Sequence, residues 1–173
     1  MHEIKIREAK LPEPWLRGTL TEVPAPQRAV LHALEGAKED LERWCGSLTD
    51  EQLNARPGGI ASIAFHIRHI ARSTDRLLTY AEGQQLSEEQ LAVLKTELDP
   101  GATSQSLFAE LNTALDRAAT RVRAFTADQL NDSRGVGKKQ LPTTVGGLLV
   151  HVADHAQRHV GQAITTTKIV TAQ

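Results

Sequence analysis

The chain has 173 residues, 20 Lys plus Arg against 21 Asp plus Glu, 40% apolar residues, seven His and one Cys. That length suits one domain burying roughly 70% of its unfolded surface, and the composition is neither disordered nor collagenous. A net charge of −1 gives no field to hold nucleic acid or an anionic membrane, and one Cys excludes an internal disulfide and any thiolate-rich metal site. Metal chemistry here must use histidines and carboxylates.

Met1 to Arg7 carries no apolar signal region, no stretch approaches the roughly 20 apolar residues of a membrane span, and a lone thiol fits a reducing compartment. The expectation is a cytoplasmic protein. Residues 1–25 read as an extended arm, because Pro12, Pro14, Pro24 and Pro26 interrupt any helix, and Trp15 is expected to pack onto the body. From Pro26 a first long helix places Val30, Leu31, Leu34, Leu41 and Cys45 at spacings of three and four, so Cys45 reads as core packing. Thr49 and Gln52 form a capping-box pattern for a short turn, which Arg56-Pro57-Gly58-Gly59 ends.

A second long helix is predicted from about Ile60 to Ala81, with Ile63, Ile67 and Ile70 on its buried face. A long connector follows, with a short helix capped by Ser87 and Gln90 and a stop at Asp99-Pro100-Gly101. The third long helix covers about 105–125. Ser133 to Lys139 lacks both the preceding strand and the spacing of a phosphate-binding loop, and reads as a solvated loop. The fourth helix runs from Thr143 or Thr144 to about Thr167, leaving 168–173 as a tail. No segment sustains period-two alternation, so the fold class is all-α, a four-helix bundle over 26–167. The long connector between the second and third helices leaves room for a crossover. The segment around Thr49 is echoed around Thr126, each preceding a His-bearing helix, as two related hairpins would be.

Five of the seven histidines lie on the second and fourth helices; His2 and His32 lie off any core stripe. His155 and His159 are one turn apart, roughly 40° around the helix, and share the face of Leu148, Val152 and Ala156. Two such imidazoles can meet one ion, and a third ligand must come from a facing helix. Periodicity favours His66, nearest the isoleucine stripe, over His69 at its edge. Burying several neutral imidazoles without partners is costly, and a shared ion is the economical account. His155 and His159 have the zincin spacing without its Glu, the Glu-x-x-His pairs of di-iron bundles are absent, and the only Met is Met1, which disfavours haem.

Ser62-Ile63-Ala64-Phe65-His66-Ile67-Arg68-His69-Ile70-Ala71 on the second helix, with His155-x₃-His159-x₂-Gln162 on the fourth, resembles the DinB/YfiT-like superfamily, whose members are regarded as metalloenzymes. Aligned on its Ser-Ile, five residues, His, aliphatic, Ala pattern, the resemblance implies His69, His155 and His159 as metal ligands, with His66 as the fallback. Ile60-Ala61 stand in the region where the family usually carries a Trp. The resemblance further implies a divalent ion, Zn²⁺ or Ni²⁺, at one end of the bundle, a small-molecule substrate and a homodimer. Relatives include transferases and isomerases that use a low-molecular-weight thiol such as bacillithiol or mycothiol.

Three histidines leave Zn²⁺ an open position, where water reaches a pKa of about 7 and a thiol is deprotonated. With Cys45 in the core, a sulfur nucleophile would arrive with a cofactor; were Cys45 to reach the ion, the site would be structural. Gln162, on the same stripe, reads either as orienting a ligand or as a helix-end surface amide, and His151 as a partly exposed spectator, with proton shuttling the alternative. The expected activity is a metal-dependent S-transferase or isomerase. The alternatives are a metal-dependent hydrolase, a non-catalytic metal-binding or stress-related module, and a helical interaction protein whose histidines satisfy one another.

Overall fold

The computed structural model describes residues 11–172. In chain order its elements are α1 (Ala25–Cys45), α2 (Asp50–Asn54), α3 (Ile63–Ala81), α4 (Glu88–Leu94), α5 (Ser104–Ala124), β1 (Ser133–Val136), β2 (Leu141–Thr144) and α6 (Val145–Thr171). Three of the four long helices begin at a side-chain cap. Ser62 Oγ accepts from the Phe65 N–H at 3.1 Å, Thr103 Oγ1 from Ser106 at 3.2 Å, and Thr144 Oγ1 from Gly147 at 3.0 Å. α1 instead carries a proline in its first turn, where the missing N–H is not needed. The Thr49–Gln52 and Ser87–Gln90 capping boxes form as expected.

α1 and α3 each pack against both α6 and α5, so the order around the bundle is α1, α6, α3, α5. The long helices that follow one another as α1 and α3, and as α5 and α6, therefore lie across the diagonals. The crossover is not at the long connector, since α3 and α5 are neighbours. The Arg72 Nε–H donates to Glu110 Oε1 at 2.6 Å, and the Arg121 guanidinium donates to Asp75 and Glu82, tying this pair together. The diagonal steps are made by α2 with its loop and by the short 3₁₀ turn Ala127–Asn131 with the hairpin. The two halves share this plan. Thr126 N–H donates to Gln129 Oε1 at 2.9 Å, much as Thr49 N–H donates to Gln52 Oε1 at 3.0 Å.

The core is aliphatic. Leu41, Leu53, Ile63, Ile67, Ile70, Leu78, Leu107, Leu111 and Leu149 are fully buried, each contributing about 2 kcal/mol of transfer free energy. Cys45 belongs to this core, with Sγ 3.4 Å from Thr167 Oγ1, and burial pushes its thiol pKa up.

Several expectations need correction. α3 starts at Ile63 rather than Ile60, because Pro57–Gly59 forms a 3₁₀ turn with Gly58 at φ 60° and Ser62 supplies the cap. α6 runs on to Thr171 through most of the expected tail; Thr166 and Thr167 are buried, and Lys168 Nζ lies 5.0 Å above the Trp44 ring. The segment read as a solvated loop is half of a β-hairpin, with Ser133 opposite Thr144 and Val136 opposite Leu141. Four residues are too few to show a period, and Gly137 at φ 69° with Gln140 at φ 50° makes the turn.

Trp15 does not pack into the body. It is 63% exposed, with its Nε1–H donating to Glu13 Oε2 at 2.7 Å. Pro14 is the buried anchor of the arm, and Arg17 donates from both terminal nitrogens to Glu39 at 2.6 and 2.7 Å. His32 is buried as well, with Nε2 3.1 Å from Thr19 Oγ1, and secures the arm to α1. His2 and the rest of residues 1–10 lie outside the described residues.

Candidate metal centre

Because α3 and α6 are neighbours, the histidine stripes of the two helices meet. One ligand atom from each of His69, His155 and His159 lies within 4.8 Å of the other two. Three nitrogens around one tetrahedral ion at ~2.1 Å would be about 3.4 Å apart, so small ring rotations separate this arrangement from a coordination shell. His69 Nε2 and His155 Nε2 face each other at 2.9 Å. The His159 ring centroid lies 4.5 Å from that of His69 and 4.6 Å from that of His155.

Surrounding groups determine which nitrogens point inward. His69 Nδ1–H donates to Glu97 Oε2 at 2.6 Å, and Arg76 donates to Glu97 Oε1 at 2.6 Å. Burial would raise the Glu97 pKa, but the hydrogen bonds from His69 and Arg76, with their charges, outweigh it and hold the carboxyl below the usual range. As an anion it can only accept, so His69 Nδ1 carries a proton, and in the neutral ring the lone pair is then on Nε2. His66 Nδ1 lies 2.9 Å from His159 Nδ1, which leaves Nε2 as the free nitrogen of His159. Phe65 stacks on His69 with centroids 5.1 Å apart and meets His66 and His159 edge-on.

Burial and the neighbouring imidazoles push His66 and His155 down to about 4 and His159 down to about 3. At neutral pH these rings are uncharged, the state in which imidazole ligates metal. The donor set fits a divalent ion. It consists of imidazole nitrogens, with His69 Nε2 and His155 Nε2 facing each other and His155 Nδ1 buried without a partner. Imidazole sets of this kind suit Zn²⁺, Ni²⁺, Cu²⁺ and Fe²⁺.

Of the residues singled out from sequence, the structure brings together His69, His155 and His159. The fallback, His66, is 5% exposed and sits behind His159 rather than among the three. His151 is at the rim, its ring centroid 5.2 Å from that of His155 and its Nδ1 3.2 Å from Asp154 Oδ2. Gln162 is exposed on α6, outside the cluster. Cys45 is committed to Thr167 and the core. Sequence reasoning missed Glu97 and the stacked Phe65.

A crossed four-helix bundle with three histidines gathered between its second and fourth long helices defines a class. Residues 33–163 match the DinB superfamily, and the chain belongs to that family. Among solved structures, a conserved protein from Enterococcus faecalis is similar with a TM-score of 0.71 and 20% identity, over 85% of this chain and 98% of that one. YfiT from Bacillus subtilis, described as a probable metal-dependent hydrolase with an unusual four-helix bundle topology, is similar with a TM-score of 0.63 and 18% identity, over 84% of this chain and 87% of that one. No curated protein matches the chain significantly. Among the described residues no helix is long and apolar enough to cross a membrane.

Proposed function

We propose that the chain is a metal-dependent enzyme that activates a small nucleophile, and that hydrolysis is its reaction. His69, His155 and His159 would hold one divalent ion. The observation that carries this reading is the convergence of three imidazoles, each offering a ligand atom within 4.8 Å of the others. The description of YfiT as a metal-dependent hydrolase supports the choice of water as the nucleophile. Such an ion supplies a Lewis acid with open positions, where water or a thiol gives up its proton near neutral pH.

The protein's own residues orient and shield. Phe65 covers one face of His69 and keeps water from it. His66 holds the His159 ring through its Nδ1. His151, paired with Asp154 through Nδ1, leaves Nε2 at the rim to accept or pass on a proton. Thiol transfer is the second reading. The burial of Cys45 away from the histidines favours an exogenous thiol over a protein sulfur in that chemistry.

Two measurements test the proposal. Elemental analysis of protein prepared without a His tag should find close to one ion per chain. The metal-loaded protein should then hydrolyse members of an ester and amide panel without added thiol. Turnover only with a low-molecular-weight thiol and a chlorinated or epoxide electrophile would replace hydrolase by transferase. Absence of bound metal would refute the centre, and a metal-loaded protein without turnover in either assay would leave a metal-binding module.

A further inference from the structure

Between Ala81 and Ala102 the chain leaves the bundle and returns, and one residue of that excursion, Glu97, is buried. Its neighbours Leu98 and Leu94 are 66% and 41% exposed, while Glu97 is 4% exposed. An inverted pattern, with leucines outside and a carboxylate inside, has no explanation in hydrophobic burial. It needs a partner for the charge, and both carboxylate oxygens have one, His69 on one side and Arg76 on the other.

The inversion is built rather than incidental. Arg68, Arg72 and Arg76 stand one turn apart on α3, and all three reach into the segment following α4. Arg68 Nη1 donates to the carbonyls of Thr96, Glu97 and Asp99 at 3.2, 3.1 and 2.9 Å. Arg72 Nη1 donates to the Val93 carbonyl and to Thr96 Oγ1, both at 3.0 Å. Arg76 holds the Glu97 carboxylate itself. The ladder fixes the backbone on both sides of Glu97, and the remaining freedom of its side chain is used to reach His69 Nδ1 at 2.6 Å. An exposed segment without a hydrophobic anchor is thus clamped at the one point where it touches a histidine of the cluster.

We infer that Glu97 is a positioning residue for the proposed metal centre, orienting His69 so that its Nε2 lone pair faces His155 and His159. The inference rests on the metal-centre reading and adds a role to a residue outside the histidine set. The carboxylate fixes the tautomer and ring plane of His69 and raises the basicity of Nε2. Loss of such a partner commonly weakens metal binding about 10- to 100-fold.

The test uses Co²⁺ as the probe on the full chain. Glu97→Gln keeps the shape of the side chain and removes its charge; Glu110→Gln loosens the same clamp through Arg72 without touching His69. Competition titration with a chromophoric chelator should show Co²⁺ bound about 10- to 100-fold more weakly by Glu97→Gln, with an altered visible spectrum, and with unchanged affinity by Glu110→Gln. Imidazole ¹⁵N spectra of the metal-free wild type should show His69 protonated on Nδ1. Equal Co²⁺ affinity in wild type and Glu97→Gln overturns the inference, as do equal losses in both variants or a His69 proton on Nε2. If Glu97→Gln does not fold, the wild-type tautomer decides. Failure of the wild type to bind Co²⁺ refutes the metal-centre reading itself, and the inference with it.

Discussion

The depressed histidines make a quantitative prediction for the metal-free protein. In the folded state His66 and His155 titrate at about 4 and His159 at about 3. In the unfolded chain each returns to the ordinary imidazole value of about 6.5. As the pH falls through that value the unfolded chain binds protons that the folded protein refuses, so stability falls with pH. Between pH 7.5 and 5.5 all three folded rings stay neutral, and the coupling among them does not enter. Each unfolded ring becomes about nine-tenths protonated over the same interval, which costs the fold a little over 1 kcal/mol per ring and about 4 kcal/mol for three. Carboxylates such as Glu97 and Glu39, held below their usual range, titrate below this window. Urea unfolding in the presence of a chelator, followed by circular dichroism at both pH values, measures the difference. His66→Gln should reduce it by a little over 1 kcal/mol, as should His155→Gln. A wild-type difference below about 1 kcal/mol, or one unchanged in these variants, would refute the burial of neutral imidazoles on which the site depends.

Other outcomes follow from single contacts. His155→Ala should leave less than about 0.2 ion per chain by elemental analysis while the helical circular dichroism persists. Leu41→Ala, at a fully buried core position, should cost about 2–5 kcal/mol in urea unfolding at pH 7.5. Thr144→Ala removes the acceptor for the Gly147 N–H at the start of α6 and should cost about 0.5–2 kcal/mol, read as a lower Tm.

Helical periodicity was a good guide to faces. Ile63, Ile67 and Ile70, and Leu148, Val152, Ala156 and Val160, are buried as their spacing requires. The same periodicity favoured His66 over His69, whereas the group the structure brings together contains His69. The wheel identifies the more buried ring, and His66 is indeed buried, yet a ligand must reach the neighbouring helix, which a residue at the edge of the stripe does. Family resemblance pointed to His69, which the structure brings into the group with His155 and His159. Glu97 was not legible because its burial depends on three arginines of another element; nothing local distinguishes it from Lys95 or Asp99. Pro14 took the anchoring role expected of Trp15 because the approach of the arm to Gly36 leaves space for a small ring, with Pro14 Cγ 3.8 Å from where a Cβ on Gly36 would stand.

The order of the helices was legible in part, through the histidines. In a plain up-and-down bundle the second and fourth long helices occupy opposite corners, and with neighbouring axes 8–10 Å apart their separation would be about 13 Å across a filled core. Imidazoles on those two helices could then meet only by displacing the aliphatic side chains between them. Clustered histidines on the second and fourth helices therefore require those helices to be adjacent, which leaves two orders: one with the second to third connection across a diagonal, the other with the first to second and third to fourth connections across the diagonals. The observed order α1, α6, α3, α5 satisfies this condition. The short capped turns after α1 and α5 make the diagonal steps, and the echo between Thr49–Gln52 and Thr126–Gln129 marks the two places where the chain crosses the end of the bundle. A crossed topology is thus the geometric condition for the three-histidine cluster, and the packing of α3 on α5 selects the one adopted.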